Sequence, residues 1–273
     1  LVDDQGWSGT SVQMKKGDAS SKSDYHHTPN LEKLAAKGMR FSQAYSTSPV
    51  CAPSRYSLQF GKSAARLNMI RVQMSTDHID HTTEMTIPKI LKKINSKYVS
   101  AHYGKWGMGI SNSKLGVNFG VHPSVLGYDF SDGKTENRDG GFQPPEWEFT
   151  TSEDPKKIYS LTQRSIAFIE KQSKSKNPFY LQLSHYAVHS NIQATKRSLE
   201  KYEKKEKGKI HKNAFFAALT EDLDYSVGIL LNKLQELGIA NNTYIIYCSD
   251  NGAVPTLPPV SYTHLRAHET VRN

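Results

Sequence analysis

The sequence predicts an α/β fold in which a mostly parallel central sheet is flanked by helices. Short apolar segments typical of buried strands alternate along the chain with amphipathic helical patterns. Polar or charged residues follow several of these strand segments, as expected where strand ends line a ligand site. The 273 residues, of which 37% are hydrophobic, are enough to form one sizeable core. No segment of roughly 18 apolar residues occurs, so the sequence predicts no membrane span.

The predicted helices begin at polar caps or prolines and several end at glycine, the usual start and stop signals. They cover residues 28–38, 54–60, a segment that opens at 86–88, 158–169 and 213–237. The longest, 213–237, repeats apolar residues at close to the helical period and is ended by Gly238. The predicted strands are 39–45, 98–103, 179–183 and 243–248. The long segment 111–154 is expected to be a loop with little regular structure that shapes a binding mouth.

The charge of the chain favours an anionic partner. Thirty-five Lys and Arg residues against 26 Asp and Glu give a net charge of +9. Nucleic acid, anionic lipid and sulfated or phosphorylated glycans all fit this charge, but no nucleic-acid recognition motif accompanies it. A basic run such as 201–212 is equally typical of a solvated helical face. The net charge therefore favours an anionic partner but does not identify the class of anion.

The sharpest chemical signal is the segment Cys51-Ala52-Pro53-Ser54-Arg55. The only other cysteine, Cys248, ends an apolar run and is expected to be a buried, inert thiol. Two cysteines are too few for a disulfide scaffold and lack the spacing of a zinc site. Pro53 and Ser54 favour a helix start, which places Cys51 near the positive end of a helix with Arg55 one turn on. This pattern predicts an anion site that contains a nucleophile.

The pattern Cys-x-Pro-Ser-Arg resembles the signature of the formylglycine-dependent sulfatases. This family includes the arylsulfatases and the N-acetylgalactosamine-6-sulfatases and belongs to the alkaline phosphatase superfamily. In that family a formylglycine-generating enzyme oxidises the cysteine to an aldehyde. The hydrate of this aldehyde attacks the sulfur of a sulfate ester, releases the alcohol and then expels sulfate. The resemblance implies that Cys51 is the modified residue and that Arg55 takes part in catalysis.

Two predicted strand ends resemble the metal-binding motifs of the same family. Residues 1–7 resemble its opening strand with paired aspartates, and residues 249–252 resemble its Ser-Asp-Asn-Gly motif. The implied metal ligands are Asp3, Asp4, Cys51, Asp250 and Asn251. Hard oxygen ligands suit calcium, with magnesium as the less favoured ion, and argue against zinc. Either motif alone is also typical of a turn or a helix cap.

Two further motifs resemble the part of the family's site that binds sulfate. Residues 104–109 resemble its Gly-Lys-Trp-His-Leu-Gly, and residues 185–189 resemble its segment that ends in Ala-Pro-His or Ala-Val-His. The resemblance implies that Lys105 and His189 are catalytic and bind the substrate. His185 is a candidate for the substrate pocket, with an ordinary structural role as the alternative. Gly107 replaces the family's common His, which leaves the base that expels sulfate unassigned.

The resemblance covers most of the chain, from residue 3 to about 256. We expect residues 1–259 to be a sulfatase catalytic domain truncated at both ends, and residues 260–273 to be a non-native tail. In the family, a second catalytic lysine and a small C-terminal subdomain follow the second metal motif, and this sequence has no Lys after Lys233. We therefore expect the chain by itself to have weak or no activity. The family also implies a periplasmic, secreted or lysosomal-type location, with any signal peptide upstream.

The expected function is hydrolysis of sulfate esters, with a sulfated saccharide or an aryl sulfate as the substrate. One alternative is a phosphodiester or phosphonate ester hydrolase of the same superfamily, because phosphate and sulfate esters have nearly the same shape. Another is a protein that binds sulfated glycans without turnover, if Gly107 and the missing lysine disable catalysis. Nucleic acid is not an expected partner.

Overall fold

The computed structural model describes residues 1–72, 74–108, 111–112, 117–118, 120–143 and 148–253. Gly109 of the lysine motif and the predicted tail 260–273 lie outside the described residues. The described residues form the expected α/β architecture, with parallel strand pairs between helices. Among the described helices, none combines the length and the apolar character that crossing a bilayer requires.

The helices of the described chain are α1 (Pro29–Lys37), α2 (Cys51–Phe60), α3 (Ile87–Ile94), α4 (Ile158–Ser175), α5 (Lys196–Lys204) and α6 (Ala214–Glu236). Side-chain caps start three of them: the oxygens of Thr86, Thr195 and Asn213 accept hydrogen bonds from backbone N–H groups in the first turns of α3, α5 and α6. Every helix predicted from sequence is confirmed. The one near the cysteine motif begins at Cys51 itself, three residues earlier than predicted.

The strands are β1 (Val99–Gly104), β2 (Ser111–Asn112), β3 (Val117–Asn118), β4 (Phe130–Ser131), β5 (Phe149–Thr151), β6 (Phe179–Ser184) and β7 (Ile192–Ala194). The central sheet has the order β4-β1-β6 with parallel pairing throughout. A second parallel pair joins β5 to β7, and β2 and β3 form a short antiparallel pair. The described residues of segment 111–154, which was predicted to have little regular structure, therefore contain four short strands.

The first three residues extend the central sheet beyond β6. Their backbone pairs with residues 183–188 on one side and with residues 248–250 on the other, at N···O distances of 2.7 to 3.0 Å. On the second side the pairing amounts to one parallel bridge, between Val2 and Ser249. Asp3, Asp250 and the residues that follow β1 and β6 consequently meet at the carboxyl edge of the sheet.

Apolar side chains cover the sheet on both faces. One core combines Val2 with Ile158 of α4 and with Phe216, Leu219 and Leu223 of α6. The opposite core is built on α2 and the residues after β1, and contains Tyr56, Phe60, Leu67, Met69, Ile79, Trp106, Met108, Val121, Leu126 and Tyr128. Because α2 belongs to this packed face, its first turn is held rigidly at the edge where the strand ends meet.

Two predicted strands are wrong. Residues 39–45 form no strand, and Met39, Phe41 and Tyr45 are exposed. Residues 243–248 also form none, with Tyr244 and Ile246 exposed, and pairing in this region is confined to the bridge at Ser249. A strand requires a neighbour for its backbone hydrogen bonds, and within the described residues neither segment has one along its length. The local apolar pattern could not reveal this.

Candidate active site

Four separate segments deliver charged side chains to the carboxyl edge of the central sheet. They are the opening segment 1–4, the first turn of α2, the turn after β1 and the segment 249–251. Asp3, Arg55 and Lys105 are almost completely inaccessible to solvent. Burying so many charges is costly unless they pair, so their contacts define the site.

The centre of the site is a network of ion pairs. The ammonium of Lys105 donates to Asp3 Oδ2 at 2.6 Å. The guanidinium of Arg55 donates from Nε to Asp250 Oδ2 at 2.9 Å, and its Nη2 lies 2.8 Å from the same oxygen and 3.5 Å from Asp3 Oδ1. Arg55 Nη1 also donates to the backbone carbonyl of Lys105 at 2.6 Å. Arg55 thus bridges the two metal motifs predicted from sequence, and Lys105 pairs with the first of them.

The pKa values reflect this pairing. Burial alone raises the pKa of Asp3, but the charges of Lys105, His189 and Arg55 together outweigh it and the pKa lies below its usual value. Burial, together with the charge of Asp3, raises the pKa of Asp250 to about 6 despite the neighbouring Arg55. Burial lowers the pKa of Lys105, but the acidic groups around it, Asp3 first, together outweigh burial and the pKa is raised. Asp3 and Lys105 are therefore ionised at neutral pH, and Asp250 changes charge near pH 6.

Cys51 is the first residue of α2, and its thiol faces the charged network. One ligand atom each of Asp3, Cys51 and Asp250 lie within 4.8 Å of one another. The preceding residue, Val50, provides no side-chain cap, so its side chain does not block the positive N-terminal end of the helix. Burial, reinforced by the carboxylates and opposed by Lys105, raises the pKa of the Cys51 thiol to about 12. The unmodified cysteine is therefore a neutral thiol at physiological pH.

The charge balance and the oxygen atoms fit a divalent cation. Asp3 and Asp250 pair with the two buried cations Arg55 and Lys105, while the third buried carboxylate, Asp4, has no Lys or Arg within ion-pair distance in the described part of the chain. Asn251 donates from Nδ2 to Asp4 Oδ1, while its buried Oδ1 has no hydrogen-bond partner in the described part of the chain. An unpartnered amide oxygen beside carboxylates is the donor set that calcium and magnesium prefer.

His189 lies beside the same carboxylates. Its Nε2 is 3.8 Å from Asp4 Oδ2, and its side chain keeps 17% of its surface exposed. Its Nδ1 lies 2.8 Å from the Ser190 carbonyl oxygen, which only accepts, so Nδ1 carries a proton. The structure therefore places a partly exposed imidazole at the mouth of the charged network.

His185 is placed differently from the other predicted site residues. Its side chain is buried, its Nδ1 has no hydrogen-bond partner among the described residues, and burial lowers the pKa of its imidazole to about 3. No hydrogen bond or ion pair in the described chain connects it with Lys105 or His189. The structure thus brings together eight of the predicted residues, Asp3, Asp4, Cys51, Arg55, Lys105, His189, Asp250 and Asn251, and leaves His185 apart.

Gly107 lies against the two cations. A Cβ built there would be 2.8 Å from Arg55 Cδ and 3.2 Å from Lys105 Cε, and its φ of +64° is a conformation that favours glycine. A larger residue at this position would displace Arg55. Glycine at 107 leaves room for the Arg55 and Lys105 side chains as they lie in this structure.

Two residues of the long segment 111–154 belong to the site and were not singled out from the sequence. Asn137 donates from Nδ2 to His189 Nε2 at 3.1 Å, and its Oδ1 has no partner in the described chain. The ring of Phe142 packs edge-on against the His189 ring, with 5.5 Å between centroids. The composition of the segment indicated a binding mouth, but no motif marked these two positions.

Comparison with known proteins gives a consistent result. A family model described as Sulfatase matches residues 1–269. The N-acetylgalactosamine-6-sulfatase of Rattus norvegicus is 30% identical over 283 residues, which cover 93% of this chain and 49% of the relative. The chain thus spans about half the length of the curated relatives it matches.

Solved structures share the fold. The crystal structure of Ps i-CgsB has a TM-score of 0.68 at 23% identity, covering 93% of this chain and 57% of that chain. BT4656, solved in complex with its substrate D-Glucosamine-2-N, 6-O-disulfate, has a TM-score of 0.61 at 18% identity, covering 92% of this chain and 64% of that chain. At these identities the similarity establishes the architecture alone.

Proposed function

Since the chain belongs to the sulfatase family, we propose that it carries the catalytic centre of an enzyme that hydrolyses sulfate esters of saccharides or aryl alcohols. The observation that carries the proposal is the meeting of Cys51, at the start of α2, with two buried cations and three buried carboxylates. A sulfate monoester is an anion, and a site that attacks it must offset its charge. The arrangement of Arg55 and Lys105 around Cys51 supports this role.

The proposal includes a formylglycine made from Cys51. A thiol whose pKa is about 12 has only about one molecule in 10⁵ ionised at pH 7, so Cys51 is a poor nucleophile as it stands. The aldehyde hydrate of formylglycine supplies an oxygen nucleophile in its place. A formylglycine-generating enzyme is the implied partner during maturation.

Asp3, Asp4, Asp250 and Asn251 would hold calcium, or less favourably magnesium, with the side chain of residue 51 beside them. When bound, such a cation supplies a Lewis acid that offsets the charge of the reacting oxygens. The carboxylate of Asp4, which pairs with no Lys or Arg in the described chain, and the unpartnered Oδ1 of Asn251 support this assignment.

The remaining polar groups have roles that follow from their positions. Arg55 and Lys105, both held by carboxylates, keep two positive charges fixed where the sulfate group would bind. His189 presents Nε2 toward the mouth, where it would contact the oxygen of the leaving alcohol and, when both ring nitrogens are protonated, donate a proton to it. His185 is proposed only as a more distant part of the substrate pocket, because it is buried apart from these residues.

A sulfated saccharide is the proposed substrate class. The net charge of +9 favours an anionic polymer, and similar proteins include an N-acetylgalactosamine-6-sulfatase. We propose that the protein works in the periplasm, outside the cell or in a lysosome-like compartment, where such glycans occur. The proposed catalytic domain is residues 1–259.

The first test is mass spectrometry of the chain after co-expression with a formylglycine-generating enzyme. We expect the peptide that contains Cys51 to exchange its thiol for an aldehyde, while Cys248 serves as an internal control and keeps its thiol. Thiols at both positions would contradict the proposed nucleophile and favour the binding-protein alternative.

The second test compares matched esters in the presence of calcium and of a chelator. An aryl sulfate, the corresponding aryl phosphonate ester and a 6-sulfated N-acetylgalactosamine are offered to the modified protein. We expect calcium-dependent release of sulfate, with the phosphonate ester slower. Faster turnover of the phosphonate ester would assign the chain to the phosphoester branch of the superfamily instead.

A further inference from the structure

Lys156 is a fully buried lysine that no predicted motif includes. Only 1% of its surface is exposed. No carboxylate in the described part of the chain lies within ion-pair distance of its ammonium, whose one hydrogen bond goes to the Ser190 carbonyl oxygen at 3.0 Å. An ammonium is rarely buried without a role or a counter-ion, because leaving water is costly for a charge. Its carbonyl partner belongs to the residue next to His189.

The backbone holds Lys156 in place at some cost. Lys156 and Lys157 are consecutive residues with φ of +49° and +57°, a conformation that side-chain-bearing residues seldom adopt. The Lys156 N–H donates to Gln193 Oε1 at 2.8 Å, which fixes the turn against β7. The turn directs the side chain of Lys156 inward and leaves Lys157 exposed. Two identical residues in the same conformation thus have opposite environments.

Lys156 and His189 share one hydrogen-bond acceptor, the backbone carbonyl of Ser190. Ser190 O accepts from the ammonium of Lys156 at 3.0 Å and from Nδ1 of His189 at 2.8 Å. A carbonyl held by a buried ammonium is fixed in direction, so the imidazole that donates to it is fixed as well. His189 then presents Nε2, and not Nδ1, toward Asn137 and Asp4.

The charge of Lys156 also acts on the site. Burial lowers the pKa of its ammonium to about 8, and the carboxylates of Asp3 and Asp4 are close enough to raise it partly back. Lys156 therefore lies within electrostatic range of the metal motif without pairing with it. A positive charge in that position favours a negative ligand at the mouth.

We propose that Lys156 is a positioning residue of the candidate active site, which orients His189 through the Ser190 carbonyl and adds a buried positive charge behind the sulfate subsite. The second half of this inference rests on the proposed function. The orientation of His189 is a property of the chain itself and is measurable without turnover.

The test compares Lys156→Met and Lys156→Arg with Lys157→Met, a control at the neighbouring left-handed position. Chains labelled with ¹⁵N-histidine report which ring nitrogen of His189 carries the proton, with the signal assigned by its loss in His189→Gln. Calorimetry with sodium sulfate in calcium-containing buffer reports the affinity for the anion, and Arg55→Ala serves as the reference for a destroyed site. Thermal melting confirms that each variant is folded, and Lys156→Gln replaces Lys156→Met if the latter does not fold.

We expect the Nδ1 proton of His189 in the parent chain, in Lys156→Arg and in Lys157→Met, and a mixture of ring tautomers in Lys156→Met. Sulfate should bind about tenfold more weakly to Lys156→Met, and within about twofold of the parent for the other two. An unchanged His189 signal and unchanged affinity in folded Lys156→Met, with Arg55→Ala still losing sulfate, would overturn the role of Lys156 alone. If the parent and Arg55→Ala bind sulfate equally poorly, the proposed function fails and the sulfate half of this inference falls with it, while the His189 signal still decides the positioning role.

Discussion

Two groups of buried carboxylates in this chain have opposite characters. Asp222 and Asp224 lie on α6, and Asp3, Asp4 and Asp250 lie at the carboxyl edge of the central sheet. All five are buried, so burial does not distinguish the two groups. The hydrogen-bond and ion-pair partners of the carboxylates do distinguish them.

The pair on α6 is satisfied by neutral donors. Asp222 accepts from the backbone and hydroxyl of Thr195 and from the hydroxyls of Ser198 and Tyr159, at 2.6 to 3.1 Å. Asp224 accepts from the backbone N–H groups of Asn30 and Leu31 at 3.1 and 2.8 Å, in the first turn of α1. Each carboxylate thus stabilises the N-terminal end of a neighbouring helix.

The group at the sheet edge is held by charges instead. Asp3 and Asp250 pair with Lys105 and Arg55, and the amide oxygen of Asn251 beside them has no partner in the described chain. The carboxylates on α6 are fully hydrogen-bonded by neutral groups of the fold. At the sheet edge, charged side chains and the unpartnered amide oxygen of Asn251 are available to a ligand. The difference teaches that partner chemistry, more than burial, separates a structural carboxylate from a binding one.

The strongest test of this contrast is calcium affinity. We expect Asp250→Asn to weaken calcium binding by about 1000-fold, because it removes one of the few charged oxygen ligands. Asp224→Asn, equally buried, should change the affinity by less than about twofold. Calorimetry with calcium measures both, and thermal melting in chelator checks that each variant is folded. Similar losses in the two variants would erase the distinction between the groups.

The converse test concerns stability. Asp222→Ala removes the acceptor of four hydrogen bonds and leaves buried donors unpaired, so we expect the free energy of unfolding to fall by about 3 kcal/mol. Its calcium affinity should be that of the parent chain. Urea denaturation provides the measurement. Asp222→Asn, which keeps one acceptor oxygen, should lose less, and an equal loss would show that charge and not hydrogen bonding is what α6 requires.

Gly107 tests how tightly the charged network is packed. Gly107→Ala should lower the free energy of unfolding by about 2 kcal/mol, part from its positive φ and part from contact with Arg55. Gly61 has a similar φ of +61°, and no atom lies within 4 Å of the position that a Cβ would take there. Gly61→Ala therefore isolates the backbone part, about 1 kcal/mol. Denaturation of both variants separates the two contributions, and equal losses would mean that Arg55 adapts freely.

The sequence was informative about the site because its signals are local. Asp3, Asp4, Asp250 and Asn251 follow apolar segments directly, and the structure brings these segments side by side at one sheet edge. Parallel pairing places the residues after β1 and β6 beside residues 3 and 4, and a single parallel bridge between Val2 and Ser249 brings Asp250 and Asn251 to the same edge, although residues 243–248 form no strand.

Other features depend on contacts between distant segments and could not be predicted. Residues 39–45 and 243–248 have the composition of strands, but pairing depends on a neighbour that composition does not name. Lys156 and Lys157 are indistinguishable in the sequence, and only the turn against Gln193 buries one and exposes the other. Asn137 lies in the segment 111–154 that was predicted to be a loop, but no sequence motif includes it.

The smallest expected effect is the pH dependence of calcium binding, and it follows from one carboxyl group. Burial and the charge of Asp3 raise the pKa of Asp250 to about 6 in the metal-free chain. Below that pH, calcium must displace a proton, so its affinity should fall by up to about tenfold per pH unit as the pH is lowered from 6.

In the absence of calcium, the same group has the opposite effect on stability: its contribution to the stability of the fold decreases as the pH rises. A carboxyl group whose folded pKa is raised contributes stability that is fully present below its unfolded pKa, near 3.9, and is lost as the pH rises through about 6. Asp250 should therefore make the metal-free parent chain lose more stability across this window than Asp250→Asn loses, and added calcium should restore stability above it. Melting temperatures from pH 4 to 7, with calcium and with chelator, measure both trends. Asp250→Asn should remove the effect of calcium on this pH trend, whereas Asp222→Asn, which alters a carboxyl group of raised pKa away from the metal motifs, should keep that effect. An effect of calcium that survives in Asp250→Asn would assign the titration to another group.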